Sequence, residues 1–155
     1  MNYSSTIKDM EKNYDEKVVV KLKDIEKRFK DSSAIKDNPI IYEVFIKNFM
    51  PVNLGLTVLY PGNINREFYI TRGHIHKKPT PEFYILLEGL GLLLMQKNNI
   101  PKTIRLIKGK LTLIPVGCAH RLINIGNRKL KVLTIYDKTS MPGYKVKFKK
   151  RFFKR

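Results

Sequence analysis

From Asn38-Pro39 onward the apolar positions come in short runs, each closed by turn residues. The runs cover residues 40–47, 54–60, 66–71, 82–88, 90–97, 102–106, 110–114, 121–124 and 131–136, with Pro61-Gly62, Asn98-Asn99, Lys108-Gly109 and Gly126-Asn127 between them. Turn signals at this spacing predict an antiparallel sandwich or barrel. Upstream, residues 18–22 predict a short strand. Leu22, Ile25 and Phe29 then recur at helical spacing and predict one small N-terminal helix with Asp24 as a cap. The expected fold class is therefore all-β, as a single domain over residues 1–155. Residues 1–17, polar and weakly patterned, are expected as a frayed N-terminal arm or a strand added to a neighbour. Residues 145–155 form a basic C-terminal tail, in which Lys145, Lys147 and Lys149 alternate with Val146 and Phe148 and predict an edge strand with a solvated outer face.

Composition narrows the setting more than the activity. The 155 residues are 43% hydrophobic and 28% charged, a globular balance, and no apolar run approaches the ~20 residues that cross a bilayer. The N-terminus carries no apolar core of signal-peptide length, so a cytoplasmic protein without a membrane partner is expected. Cys118 is the single cysteine, which excludes an internal disulfide. Thirty-one basic against thirteen acidic side chains give a net charge of +18 and favour anionic partners. The reading preferred here is solvated lysine spread over every exposed face, with nucleic acid an unfavoured partner.

Candidate chemistry concentrates in Thr71-Arg-Gly-His-Ile-His-Lys-Lys-Pro-Thr-Pro-Glu-Phe-Tyr84. Side chains two apart on a strand point the same way, so His74 and His76 can aim both imidazoles into one cavity. Glu82 follows on the next run, and His120, the remaining histidine, stands beside a turn signal downstream. In an antiparallel barrel two hairpins can bring all four together. Three neutral imidazoles and one carboxylate suit one divalent ion per chain, with Fe, Mn, Zn and Ni all fitting and open positions left for water or substrate.

These residues carry a resemblance. Gly73-His-Ile-His76 with Glu82 and Gly89, followed by Pro115 to His120, looks like the two-part cupin signature. Tyr42-Glu-Val, Thr57-Val-Leu-Tyr-Pro-Gly62, Glu67-Phe-Tyr-Ile-Thr-Arg-Gly-His-Ile-His76, Glu82-Phe-Tyr84, Gly89-Leu-Gly91, Gln96 and Ala119-His-Arg-Leu-Ile-Asn-Ile-Gly126 together resemble the archaeal cupin-type phosphoglucose isomerases, over roughly residues 18 to 144. The resemblance implies a double-stranded β-helix (jelly-roll-like) barrel and a cytoplasmic homodimer. It also implies a metal-dependent enzyme of glycolysis and gluconeogenesis that interconverts glucose 6-phosphate and fructose 6-phosphate, with iron the first choice of ion. It makes His74, His76, Glu82 and His120 the metal ligands, and places Tyr42, Thr57, Thr71, Gly73, Tyr84 and Tyr136 around the sugar phosphate.

The chemistry asked of such a site is consistent with those residues. Moving a proton between C1 and C2 of an α-hydroxy carbonyl needs a Lewis acid for the oxygens and a base, for which Glu82 is the candidate, while Tyr84 on the same face can donate to a sugar oxygen. The alternative route within the family is a hydride shift. Thr71 hydroxyl and Gly73 N–H can hold phosphate, and Arg72 or Lys77 can add charge. The chain departs from the family in a five-residue spacer from His76 to Glu82, in Gly117-Cys118 where relatives carry aromatics, which is expected to open the pocket mouth, in Pro142 in place of a histidine, and in its short C-terminus. Two other readings stay open: a non-catalytic metal- or sugar-binding cupin whose basic tail binds nucleic acid or protein, and a cupin metal serving a different reaction.

Overall fold

The computed structural model describes residues 9–33 and 35–155. In chain order the elements are β1 (Glu16–Lys21), helix α1 (Leu22–Ile25), β2 (Ile40–Asn48), β3 (Val52–Leu59), β4 (Asn63–Ile64), β5 (Glu67–Phe68), β6 (Ile75–His76), β7 (Glu82–Glu88), β8 (Gly91–Lys97), β9 (Ile100–Arg105), β10 (Leu111–Ile114), β11 (Ala119–Asn124), β12 (Leu130–Asp137) and β13 (Pro142–Gly143). The all-β expectation holds, and the small helix expected from Leu22 onward is present. The helix is shorter than the Leu22, Ile25, Phe29 spacing predicts, and a 3₁₀ turn over Glu26–Arg28 completes it. Asp24 occupies its third position and accepts the Lys21 N–H at 2.8 Å, so it caps from inside the helix and not from before it.

Strands β1, β2, β3, β12, β7 and β10, in that order, make a six-stranded sheet. Strands β11, β8 and β9 make a second sheet of three. Ile41, Leu59, Leu86 and Val132 of the first meet Leu93, Leu94, Leu122 and Ile123 of the second in one buried cluster. Alternation along β7 explains how a strand serves two faces: Glu82, Tyr84 and Leu86 are buried inward, while Phe83, Ile85 and Leu87 look outward. The tight β8–β9 turn puts Asn98 and Asn99 at φ 51° and 64°, the paired left-handed conformation of a two-residue hairpin that asparagine tolerates.

Three expectations need correction. Residues 66–71 are not one strand, because Asn65 and Arg66 both adopt positive φ in a turn, leaving β5 two residues long before the chain crosses to β11 through the Ile70–Ile123 bridge. The arm is not frayed where it is described. Met10 is 1% exposed and packs with Phe45, Leu56, Val58 and Leu133 on the outer face of the six-stranded sheet, and β1 already begins at Glu16; residues 1–8 lie outside the described residues. Residues 145–149 form no edge strand. Their backbone is held instead by the buried Gln96 side chain, whose Nε2 donates to Lys147 O at 3.0 Å and whose Oε1 accepts the Lys149 N–H at 2.8 Å. Beyond that point Phe152 packs against the core and Arg151 pairs with the buried Glu67 at 2.9 Å, so the tail lies on the body of the protein.

Candidate metal centre

Four side chains meet at the inner wall between the sheets. Glu82 comes from the first residue of β7 and His120 from β11. The segment before β6 is pinned to β11: His74 N–H donates to His120 O at 3.1 Å and His120 N–H to His74 O at 2.9 Å. That exchange sets the His74 and His120 rings against each other, 4.4 Å between centroids, and His76 follows 5.2 Å from His74 with the rings stacked. Glu82 Oε2 then lies 2.9 Å from His120 Nε2, 3.1 Å from His76 Nε2 and 3.9 Å from His74 Nε2. Neighbouring ligands of one ion held at about 2.1 Å stand roughly 3.0 to 3.4 Å apart, so the spacing fits a shared cation.

The outer nitrogens strengthen that fit. His120 Nδ1 lies 3.1 Å from the Cys118 carbonyl, and His76 Nδ1 lies 3.0 Å from the Thr80 carbonyl. A carbonyl only accepts, so each Nδ1 carries a proton, and a ring holding no second proton turns the lone pair of its Nε2 toward the Glu82 oxygen. Lone pairs and a carboxylate at these distances repel unless a proton or a cation lies among them. Burial opposes ionisation of Glu82, yet with no ion bound the protons shared with His120 and His76 hold the carboxyl down at about 2. Burial, reinforced by His120 and His76, holds the His74 imidazole down at about 3, so it stays neutral. Burial also opposes the charged form of His76, but Glu82 and the Thr80 carbonyl outweigh it and leave its pKa above the ordinary value. The short 77–81 spacer thus has a function: it delivers Thr80 behind His76.

The centre opens into a cavity of about 330 Å³, a size suited to a small phosphorylated sugar. Tyr42, Thr57, Thr71, Gly73, Tyr84 and Tyr136 all line it beside His74, His76, Glu82 and His120. The ligand and sugar-phosphate positions implied by the resemblance are therefore all brought to one chamber. Burial, followed by the charge of Glu82, pushes the Tyr84 phenol well above 10, so it remains a proton donor. Burial likewise raises Tyr42 and Tyr136. Arg72 lines the wall and its guanidinium lies over the Tyr144 ring at 4.9 Å, whereas Lys77 is not in the lining. Gly117 and Cys118 do not open the mouth, since neither reaches the cavity; Cys118 contributes its carbonyl to His120. Sequence reasoning missed Glu16 and Asn53, whose place on the wall follows from strand register across β1 and β3, and Lys138, which follows the end of β12; no local motif marks them.

Comparison with known proteins decides the lineage. The profile described as "Glucose-6-phosphate isomerase (GPI)" matches residues 1–152. The chain belongs to the glucose-6-phosphate isomerase family. Glucose-6-phosphate isomerase of Pyrococcus furiosus is 34% identical over 149 residues, covering 89% of this chain and 79% of that one. The Thermococcus kodakarensis protein of the same name is 35% identical, covering 77% and 69%. The protein is thus an aldose–ketose isomerase of that family. Solved structures add the fold: Lactobacillus farciminis oxalate decarboxylase in its formate complex superposes with a TM-score of 0.54 at 18% identity, over 63% of this chain and 29% of that one. A crystal structure of Fe(II) HppE gives 0.51 at 16% identity, over 79% and 57%. These are cupin folds, as the sequence signature implies.

Proposed function

We propose that this member of the family is a metal-dependent glucose-6-phosphate isomerase, interconverting glucose 6-phosphate and fructose 6-phosphate. One observation carries the metal: two histidines with Nδ1 committed to carbonyls turn their Nε2 atoms onto the same Glu82 oxygen. When bound, a divalent cation supplies Lewis-acid stabilisation of the negative charge that develops on the substrate oxygens at C1 and C2. Iron is the first candidate, and Mn, Zn and Ni suit the same donors.

The chain's own groups supply the rest. Glu82, ionised throughout the neutral range, takes the proton from the carbon bearing the hydroxyl and returns it to the neighbouring carbon, while the hydroxyl proton passes to the former carbonyl oxygen, so the carbonyl migrates with no net change in atoms. Its depressed pKa makes it a weak base, which the acidified carbon proton has to offset. Tyr84, held as a phenol, donates to a sugar oxygen beside Glu82. At the other end, Thr71 Oγ1 already accepts the Leu122 N–H at 2.9 Å, which leaves its hydroxyl hydrogen free for phosphate. Tyr42, Thr57, Tyr136 and the Gly73 N–H complete the grip on the substrate. A hydride shift uses the same lining without the base.

A role in glycolysis and gluconeogenesis, a cytoplasmic setting and a homodimer belong to the same proposal. No helix among the described residues is long and apolar enough to cross a membrane. The outer face of the six-stranded sheet runs Leu54, Ile135, Phe83, Leu113 in register, and Leu111 and Leu113 are 54% and 50% exposed, an apolar strip that a second copy would cover. The basic tail does not favour the nucleic-acid reading, because Arg151 is engaged with Glu67 and the Arg28 carbonyl. The test is a coupled assay with fructose 6-phosphate on the metal-loaded protein. Turnover, with a rise in melting temperature on adding that substrate, supports the proposal; protection without turnover would leave a binding protein.

A further inference from the structure

We propose that Arg121 is a positioning residue for the substrate phosphate: from behind the cavity wall it turns the Gly73 N–H inward and places a buried positive charge beneath it. The inference rests on the isomerase reading above and names the side chain on which its phosphate grip depends.

Arg121 follows the ligand His120 on β11, so strand alternation points it away from the cavity. It is nonetheless only 6% exposed, because the tail folds over it and sets the Phe148 ring 4.1 Å from its guanidinium. Among the described residues no carboxylate lies within ion-pair distance of it, and its buried Nε has no hydrogen-bond partner. Its one hydrogen bond runs from Nη2 to the Arg72 carbonyl at 2.9 Å.

That single bond has a directional consequence. The Arg72-Gly73 peptide is trans, so the Gly73 N–H points opposite to the carbonyl that Arg121 holds. Arg121 lies outside the wall and Gly73 lines the cavity, which sends the N–H inward, where it finds no acceptor among the described residues. A guanidinium on the carbonyl also polarises the amide and makes its N–H a stronger donor. Gly73 has no slack: its φ is +74°, and a Cβ there would stand 2.6 Å from the Phe148 ring and 3.0 Å from Arg121 Cβ.

A buried guanidinium with no carboxylate in contact, near Arg28 and Arg151 and with only Glu67 acting on it at longer range, is unfavourable in the empty protein. A phosphate dianion on the far side of one peptide plane supplies the missing charge through a low-dielectric wall. Phe148 keeps water from screening that interaction, which gives the basic tail a share in substrate binding.

The experiment uses the full-length, metal-loaded protein. For Arg121→Met the expected result is a KM for fructose 6-phosphate raised about ten-fold or more, as for a lost hydrogen bond to a charged group, with kcat within about three-fold and bound metal unchanged. Protection by inorganic phosphate, read as the rise in melting temperature, falls in step. Arg121→Lys keeps the charge but not the planar fork and recovers only part of KM. Phe148→Leu, read the same way, serves if Arg121→Met does not fold, and raises KM by a smaller factor. Wild-type KM and phosphate protection in Arg121→Met, or in Phe148→Leu where that variant has to serve, overturn the inference. So does a joint loss of kcat and metal with phosphate protection intact, which would make Arg121 a support for His120 alone. Arg121-dependent phosphate protection in a wild-type protein that turns over no hexose phosphate would sink the isomerase reading and leave this one standing.

Discussion

His120 Nε2 lies 2.9 Å from Glu82 Oε2, with one side chain 1% and the other 5% exposed. At that depth water cannot separate a lone pair from a carboxylate, so a positive charge has to reside with them. The remaining features of the centre arrange this pair: the His74–His120 backbone exchange, the Cys118 and Thr80 carbonyls, and the alternation that turns Tyr84 to the same side as Glu82.

Glu82→Gln removes the carboxylate while keeping the shape. The fold should persist and turnover should fall at least about 100-fold, the scale of a lost general base. Circular dichroism and the coupled isomerase assay check it, and metal content measured on the same sample separates loss of base from loss of ion. Activity equal to wild type would remove Glu82 from the mechanism.

Metal loading should weaken as pH falls. His76 has its pKa raised above 6.5 in the folded apo protein despite burial, because Glu82 and the Thr80 carbonyl favour the imidazolium. A raised folded value means that this proton stabilises the apo protein below pH 6.5, and that the contribution is lost as pH rises through the folded value. An incoming ion has to displace the proton, so affinity should drop by up to about ten-fold per pH unit once His76 is protonated. Titration calorimetry from about pH 8 to pH 6 follows this. His76→Ala should flatten the profile and bind less than one ion per chain.

The tail should matter for stability as well. Glu67 is 2% exposed and accepts from Arg151 Nη1 and from the Lys30 N–H, while Phe152 packs on the core beside it. Truncation after Phe148 strands the Glu67 charge and uncovers that surface, so a loss of about 3 to 5 kcal/mol is expected. Arg151→Ala alone, whose side chain is 38% exposed, should cost about 1 to 3 kcal/mol. Thermal and urea melts measure both, and an unchanged midpoint on truncation would show the tail to be peripheral.

Leu113→Glu tests the apolar strip on the outer sheet face. A charge beside Phe83 should convert a dimer to a monomer at micromolar concentration in analytical ultracentrifugation, with about 2 kcal/mol or more lost from association. A wild-type protein that sediments as a monomer would remove the homodimer from the proposal.

Much of this architecture is legible in the chain. Residues 82–88 form a strand with the bounds their alternation predicts, and the two-apart histidines with Glu82 and His120 assemble as their types suggest. What escaped has a common physical cause, a long-range partner. Phe148 reads as one face of an alternating strand, but its ring is occupied by Arg121, and Gln96 substitutes for the ladder that the alternation implied. Arg121 falls in the predicted strand 121–124, and nothing within β11 tells that the tail will cover it. Asn65-Arg66 turns the chain without a glycine, so the break between β4 and β5 carried no signal.

The measurement that bears most directly on the central claim is metal content and isomerase turnover followed together through chelation and reconstitution. One divalent ion per chain, turnover abolished on its removal and restored by Fe, Mn, Zn or Ni in proportion to ions rebound, is the predicted result. Full turnover of fructose 6-phosphate by protein shown by elemental analysis to hold no transition metal would contradict it.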